Sequence, residues 1–192
     1  MPNTEIDPDA WLAKVSEAPL EPELPIIDPH HHLWDHSGSR YMLDEILRDT
    51  NSGHRVRATV FVECMSMYRA DGPESMRPVG ETEFVNGIAA QSASGQYGET
   101  RVAAGIVGLA DLTLGDAVVP VLEAHIAAAP ARFRGIRHAG GFDPSPDVRN
   151  SHTNPPADLY ESKKFREGFA RLMVVTVSML PSQVPVEKPC QV

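Results

Sequence analysis

Apolar positions along the chain fall into two alternating rhythms. Residues 24–28 make a short apolar run with β-branched Ile26 and Ile27 that ends against Pro29, as a buried strand would. Over residues 41–47, Met42, Leu43, Ile46 and Leu47 fall at helical spacing. The pattern then repeats. Residues 55–63, with Val56, Val60, Phe61 and Val62, predict a second strand, and a polar loop holding Gly72, Pro73, Pro78 and Gly80 follows it. A helix is predicted from about Glu81, with Phe84, Val85, Ile88 and Ala89 on one face. Residues 102–109 predict a third strand, and Gly115 and Asp116 open a helix with Val118, Val119, Leu122 and Ile126 at its apolar positions. Residues 133–138 predict a fourth strand, separated by a Gly/Pro/Asn-rich loop over 140–156 from a helix near 161–172. Strands alternating with helices of this length imply parallel pairing through βαβ crossovers, and hence an α/β layer architecture.

The flanks differ from this core. Residues 1–23 are acidic and proline-containing, with one short helix expected around 11–15, and read as an extension leading into a domain over 24–172. Residues 173–192 hold six valines, three prolines and a single acidic residue, Glu187, with no Ala or Gly. A further strand over 173–180 is expected there, followed by an atypical tail that departs from the rest of the chain.

Composition narrows the function. Among 192 residues, 42% are apolar and 22% charged, which suits a globular chain able to bury a core. Seventeen basic against 26 acidic residues give a net charge of -9, which repels phosphate backbones and makes nucleic acid an unexpected partner. No apolar stretch reaches the roughly 18 residues of a membrane span, and the acidic start lacks the basic, then apolar, build of a secretory leader. Cys64 and Cys190 form no CxxC pair. A reducing cytoplasm and no membrane are the expectations that follow.

The chemistry concentrates in Ile26-Ile27-Asp28-Pro29-His30-His31-His32-Leu33-Trp34-Asp35. If the strand stays extended, side chains alternate, so Asp28, His30 and His32 project to one face and His31 to the other. Two converging imidazoles suit zinc, iron or nickel at about 2.0–2.1 Å. Asp28 is placed to orient a ligating ring or to anchor the turn. The competing reading is a surface cluster of three adjacent histidines. The HxHxDH pattern of zinc hydrolases fits neither register, because Trp34 and Asp35, or Leu33, stand where its later members belong.

The run IIDPHHHLWD resembles the opening motif, Asp-x-His-x-His followed by an apolar residue and Trp, of the amidohydrolase-related (amidohydrolase 2) family of metal-dependent hydrolases. Three later stretches resemble the same family in order: PVGETEFV at 78–85, GIVGLADL at 105–112 and RFRGIRH at 132–138. The resemblance implies a partial (β/α)8 TIM barrel of four to five βα units, open rather than closed and truncated at its C-terminal side. It implies hydrolysis of a small lactone, cyclic ester or amide, with one divalent metal, zinc or manganese, on His30 and His32. Arg137 matches a position that meets a substrate carboxylate; His138 beside it and Glu63 at the end of the second strand are the other substrate-binding candidates. Alternation lets only one of Arg137 and His138 face the barrel. His125 inside a helix, and His36, His54 and His152 in loops, read as structural or solvent-facing.

A closed barrel takes about 250 residues, and the family's later ligands and general base come from strands that this chain does not show. No histidine follows His152. The alternative function is therefore an inactive remnant that serves at most as an interaction or dimerisation module, with self-association expected through open strand edges.

Overall fold

A computed structural model describes residues 10–148 except 12, and residues 154–177. In chain order the elements are β1 (Pro25–His31), β2 (Trp34–His36), β3 (Ser39–Tyr41), α1 (Leu43–Thr50), β4 (Arg55–Val62), α2 (Val79–Ala93), β5 (Arg101–Gly108), α3 (Val119–Ala128), β6 (Phe133–Ile136) and α4 (Lys163–Val177). Short 3-10 turns precede α2, α3 and α4. β1, β4, β5 and β6 form one sheet in that order, every pair parallel. β2 and β3 pair antiparallel as a separate hairpin, with Trp34 stacked on Tyr41 at 5.1 Å.

The predicted alternation of strands and helices is thus present, with three departures. The hairpin over 34–41 takes what reads as the start of the first helix, because Gly38 at φ 80 allows the chain to reverse between Trp34 and Tyr41. The helix expected to open at Gly115 begins at Val119 instead, since Gly115 sits at φ 60, ψ -132 and interrupts the turn. Residues 173–177 continue α4, so the strand expected over 173–180 is corrected to a helix end there. The rest of that segment and the tail lie outside the described residues. Valines at 174, 175 and 177 mimic a strand run, but the helical register set by Lys163 to Leu172 carries through them.

One face of the sheet packs under the helices. Phe61 of β4 and Ile106 of β5, both 0% exposed, meet Val85 and Ala89 of α2 and Leu43 and Ile46 of α1 in one core. Burying two such side chains contributes roughly 1.5–3 kcal/mol each. A second core joins Val79, Leu112, Val118, Leu122 and Phe165, and so ties α4 and the turn before α3 to the start of α2. On the opposite face Ile27 is 67% exposed, and a Cβ at Gly105 would lie 3.5 Å from Val60 and 3.7 Å from Arg134. Among the described residues, no helix is long and apolar enough to cross a membrane.

Candidate functional site

The carboxyl ends of β1, β4 and β6 bring the predicted residues together. In β1, His31 pairs with Phe61 across the sheet and lies edge-on to it at 5.8 Å, on the helix-covered face. The pleat therefore turns His30 and His32 the other way. Their Nε2 atoms stand 3.2 Å apart. Two nitrogens each about 2.05 Å from a tetrahedral ion are separated by about 3.3 Å, so this spacing fits two ligands of one cation.

The tautomer of His32 follows from its other nitrogen. Nδ1 lies 2.7 Å from the carbonyl oxygen of Val62, which can only accept. Nδ1 therefore carries the proton, and in the neutral ring Nε2 presents its lone pair towards His30. A backbone carbonyl behind a ligating imidazole is the usual way such a ring is oriented. Asp28 acts on the backbone: its Oδ1 accepts from the His30 N–H at 3.0 Å, in a stretch where β1 slips one register against β4. The slip pairs Asp28 with Thr59 and His31 with Phe61, so Asp28 lies on the face of His31 and not, as strict alternation predicts, with His30 and His32.

From the other edge of the sheet Arg137 reaches back across β5. Its Nε donates to Oε1 of Glu63 at 2.7 Å and its Nη2 to the Glu63 carbonyl at 2.6 Å. The Glu63 carboxylate is fully buried, whereas the arginine side chain is 35% exposed. Val62 and Glu63 thus use consecutive carbonyls, one for His32 and one for Arg137, and hold both at the end of β4.

His138 is turned away from this group. Its Nδ1 accepts from the Leu112 N–H at 3.2 Å, and its ring stands edge-on to Phe165 at 5.3 Å, in the second core. A register shift between β5 and β6 decides the matter, since Val107 pairs with Gly135 and Gly108 with Ile136, which leaves Arg137 on the open face. His125 is structural: its Nε2 donates to the Leu109 carbonyl at 2.9 Å, its Nδ1 faces the Thr82 hydroxyl at 2.8 Å, and it stacks on Phe133. Burial lowers both His31 and His125 to about 4 and keeps these rings neutral. Neither ring nitrogen of His31 has a hydrogen-bond partner among the described residues. His36 and His54 are exposed, and His152 lies outside the described residues.

Glu81 is the residue that sequence reasoning missed. It sits in the first turn of α2, fully buried, and its Oε1 accepts from the backbone N–H groups of Cys64 at 3.0 Å and Ser66 at 2.7 Å. Burial pushes its carboxyl up to about 7, against the pull of those two hydrogen bonds and with a further push from Glu63. A glutamate opening a helix ordinarily reads as a partner of the helix dipole, so nothing in its spacing marked it. The Cys64 thiol is likewise pushed up to about 12, chiefly by burial, which leaves it unreactive.

Among the described residues no third His, Cys, Asp or Glu joins the imidazole pair in a metal-binding group. No family model and no solved structure matches the chain. It is similar to the uncharacterized protein y4mH of Sinorhizobium fredii (strain NBRC 101917 / NGR234), 27% identical over 172 residues that cover 78% of this chain and 50% of that protein. The chain spans about half the length of the curated relative it matches.

Proposed function

We propose that the chain carries the first part of a metal-dependent hydrolase of the amidohydrolase-related type, acting on a small lactone, cyclic ester or amide in the cytoplasm. The observation that supports this most is the 3.2 Å approach of the His30 and His32 Nε2 atoms, with His32 fixed by the Val62 carbonyl. The strand order also favours an arc of a (β/α)8 barrel. Each new parallel strand is added beside the last, which, with right-handed crossovers, winds all the helices onto one face. A doubly wound sheet reverses direction instead.

His30 and His32 would hold zinc or manganese through Nε2, and donor chemistry and spacing fit two of its ligands. The bound ion would supply a Lewis acid and a more acidic water. The chain's own residues do the rest of what is visible. Glu63 occupies the Nε–Nη2 edge of Arg137, which leaves the Nη1 side of the guanidinium to meet a substrate oxygen. In that role Arg137 orients the substrate while Glu63 keeps the guanidinium from swinging. Further ligands and the general base are assigned to residues beyond this set.

A second reading, an inactive remnant serving for interaction or dimerisation, is favoured by the two-ligand site. Calorimetric titration of the purified chain with zinc and with manganese, beside a lactone hydrolysis panel, separates them. Stoichiometric binding that is lost in the His30→Ala, His32→Ala double variant supports the metal site, and metal-dependent turnover supports the hydrolase. Absence of binding by the folded wild type rejects the first reading.

A further inference from the structure

We propose that Glu81 is a positioning residue for His32, acting through the loop that joins β4 to α2. Three observations on this loop converge. The Glu81 Oε1 grips the N–H groups of Cys64 and Ser66, on either side of Met65. Met65 and Met67 both lie in the left-handed region, at φ 64 and 53, a conformation non-glycine residues hold only where surrounding contacts enforce it. The loop touches the histidine segment at two points: the Val62 carbonyl accepts from His32 Nδ1, and the Cys64 thiol donates to the carbonyl of Leu33, the next residue, at 3.4 Å.

Gly80 shows that this loop is meant to lie against the start of α2. A Cβ there would fall 2.6 Å from the Arg69 nitrogen and 2.8 Å from the Met67 oxygen. The glycine admits the loop, and the glutamate after it holds the loop in place. An apolar side chain would fill the same volume without desolvating a carboxyl group, and among the described residues Glu81 Oε2 has no partner at all. What the carboxylate adds over an apolar side chain is its grip on two backbone donors. The consequence for a metal rests on the reading above; the orientation of the ring does not.

The test uses the full chain, metal-free and labelled with 15N-histidine, at pH 8. Wild type is expected to show His32 as the Nδ1–H tautomer. Glu81→Met, close in volume but without an acceptor, is expected to shift His32 towards the Nε2–H form, while Glu81→Gln, which keeps the acceptor, retains the wild-type signal. If Glu81→Met does not fold, Glu81→Asp withdraws the acceptor by one methylene and carries the same expectation. A folded Glu81→Met or Glu81→Asp chain with an unchanged His32 tautomer, or a wild type without the Nδ1–H form, overturns the proposal. Titration of the same proteins with cobalt(II), followed by its visible absorption, is expected to show affinity weakened about tenfold or more in Glu81→Met and restored in Glu81→Gln. A tautomer shift in a protein that binds no cobalt would reject the metal reading and leave the positioning role standing.

Discussion

His32 and His125 are wired in opposite senses. His32 gives its Nδ1 proton to a carbonyl and leaves Nε2 on the open face, whereas His125 spends both nitrogens inside the layer between helix and sheet. The difference has a signature in acid. With His31 and His125 held neutral down to about 4, the unfolded chain takes up protons first as pH falls below 6.5, so stability declines between about 6.5 and 4. His125→Gln is expected to flatten that decline, which urea titrations at pH 4.5 and 7 would measure; the full effect of one such histidine is about 3 kcal/mol. Glu81 has the reverse sign: folded at about 7 against 4.5 unfolded, it lowers stability as pH rises through that window, and Glu81→Gln removes the loss. Arg137 supplies another check. Arg137→Met leaves the Glu63 carboxylate buried without its cation, and a loss of about 3 kcal/mol is expected in the same assay, with Arg137→Lys recovering only part of it.

At the scale of elements, strands and crossover helices were legible because apolar periodicity follows which face is covered. Phe61 and Ile106 mark the helix side, and the alternation about His31 correctly separates it from His30 and His32. What stayed hidden depends on partners remote in sequence. No local pattern tells whether Arg137 or His138 faces the open side, since the slip against β5 decides it. Similarly, the Gly80-Glu81 pair acquires meaning only when the loop from Cys64 to Arg69 folds onto it. Gly80→Ala is expected to displace that loop and to cost about 2–3 kcal/mol, as overpacking against backbone does, while leaving the sheet's far edge at β6 unaffected in amide exchange.

At the scale of the molecule, the order β1-β4-β5-β6 leaves β1 and β6 as edges among the described residues, and exposed Ile27 lies on the first of them. An open parallel sheet of this kind is expected to self-associate, seen as a sedimentation coefficient that rises with protein concentration. Whether the imidazole pair holds a cation is decided by anomalous diffraction at the zinc edge from crystals of the chain grown with zinc. A peak is expected about 2.0–2.1 Å from Nε2 of both His30 and His32. Zinc bound elsewhere, with those two nitrogens still facing one another and no ion between them, would contradict it.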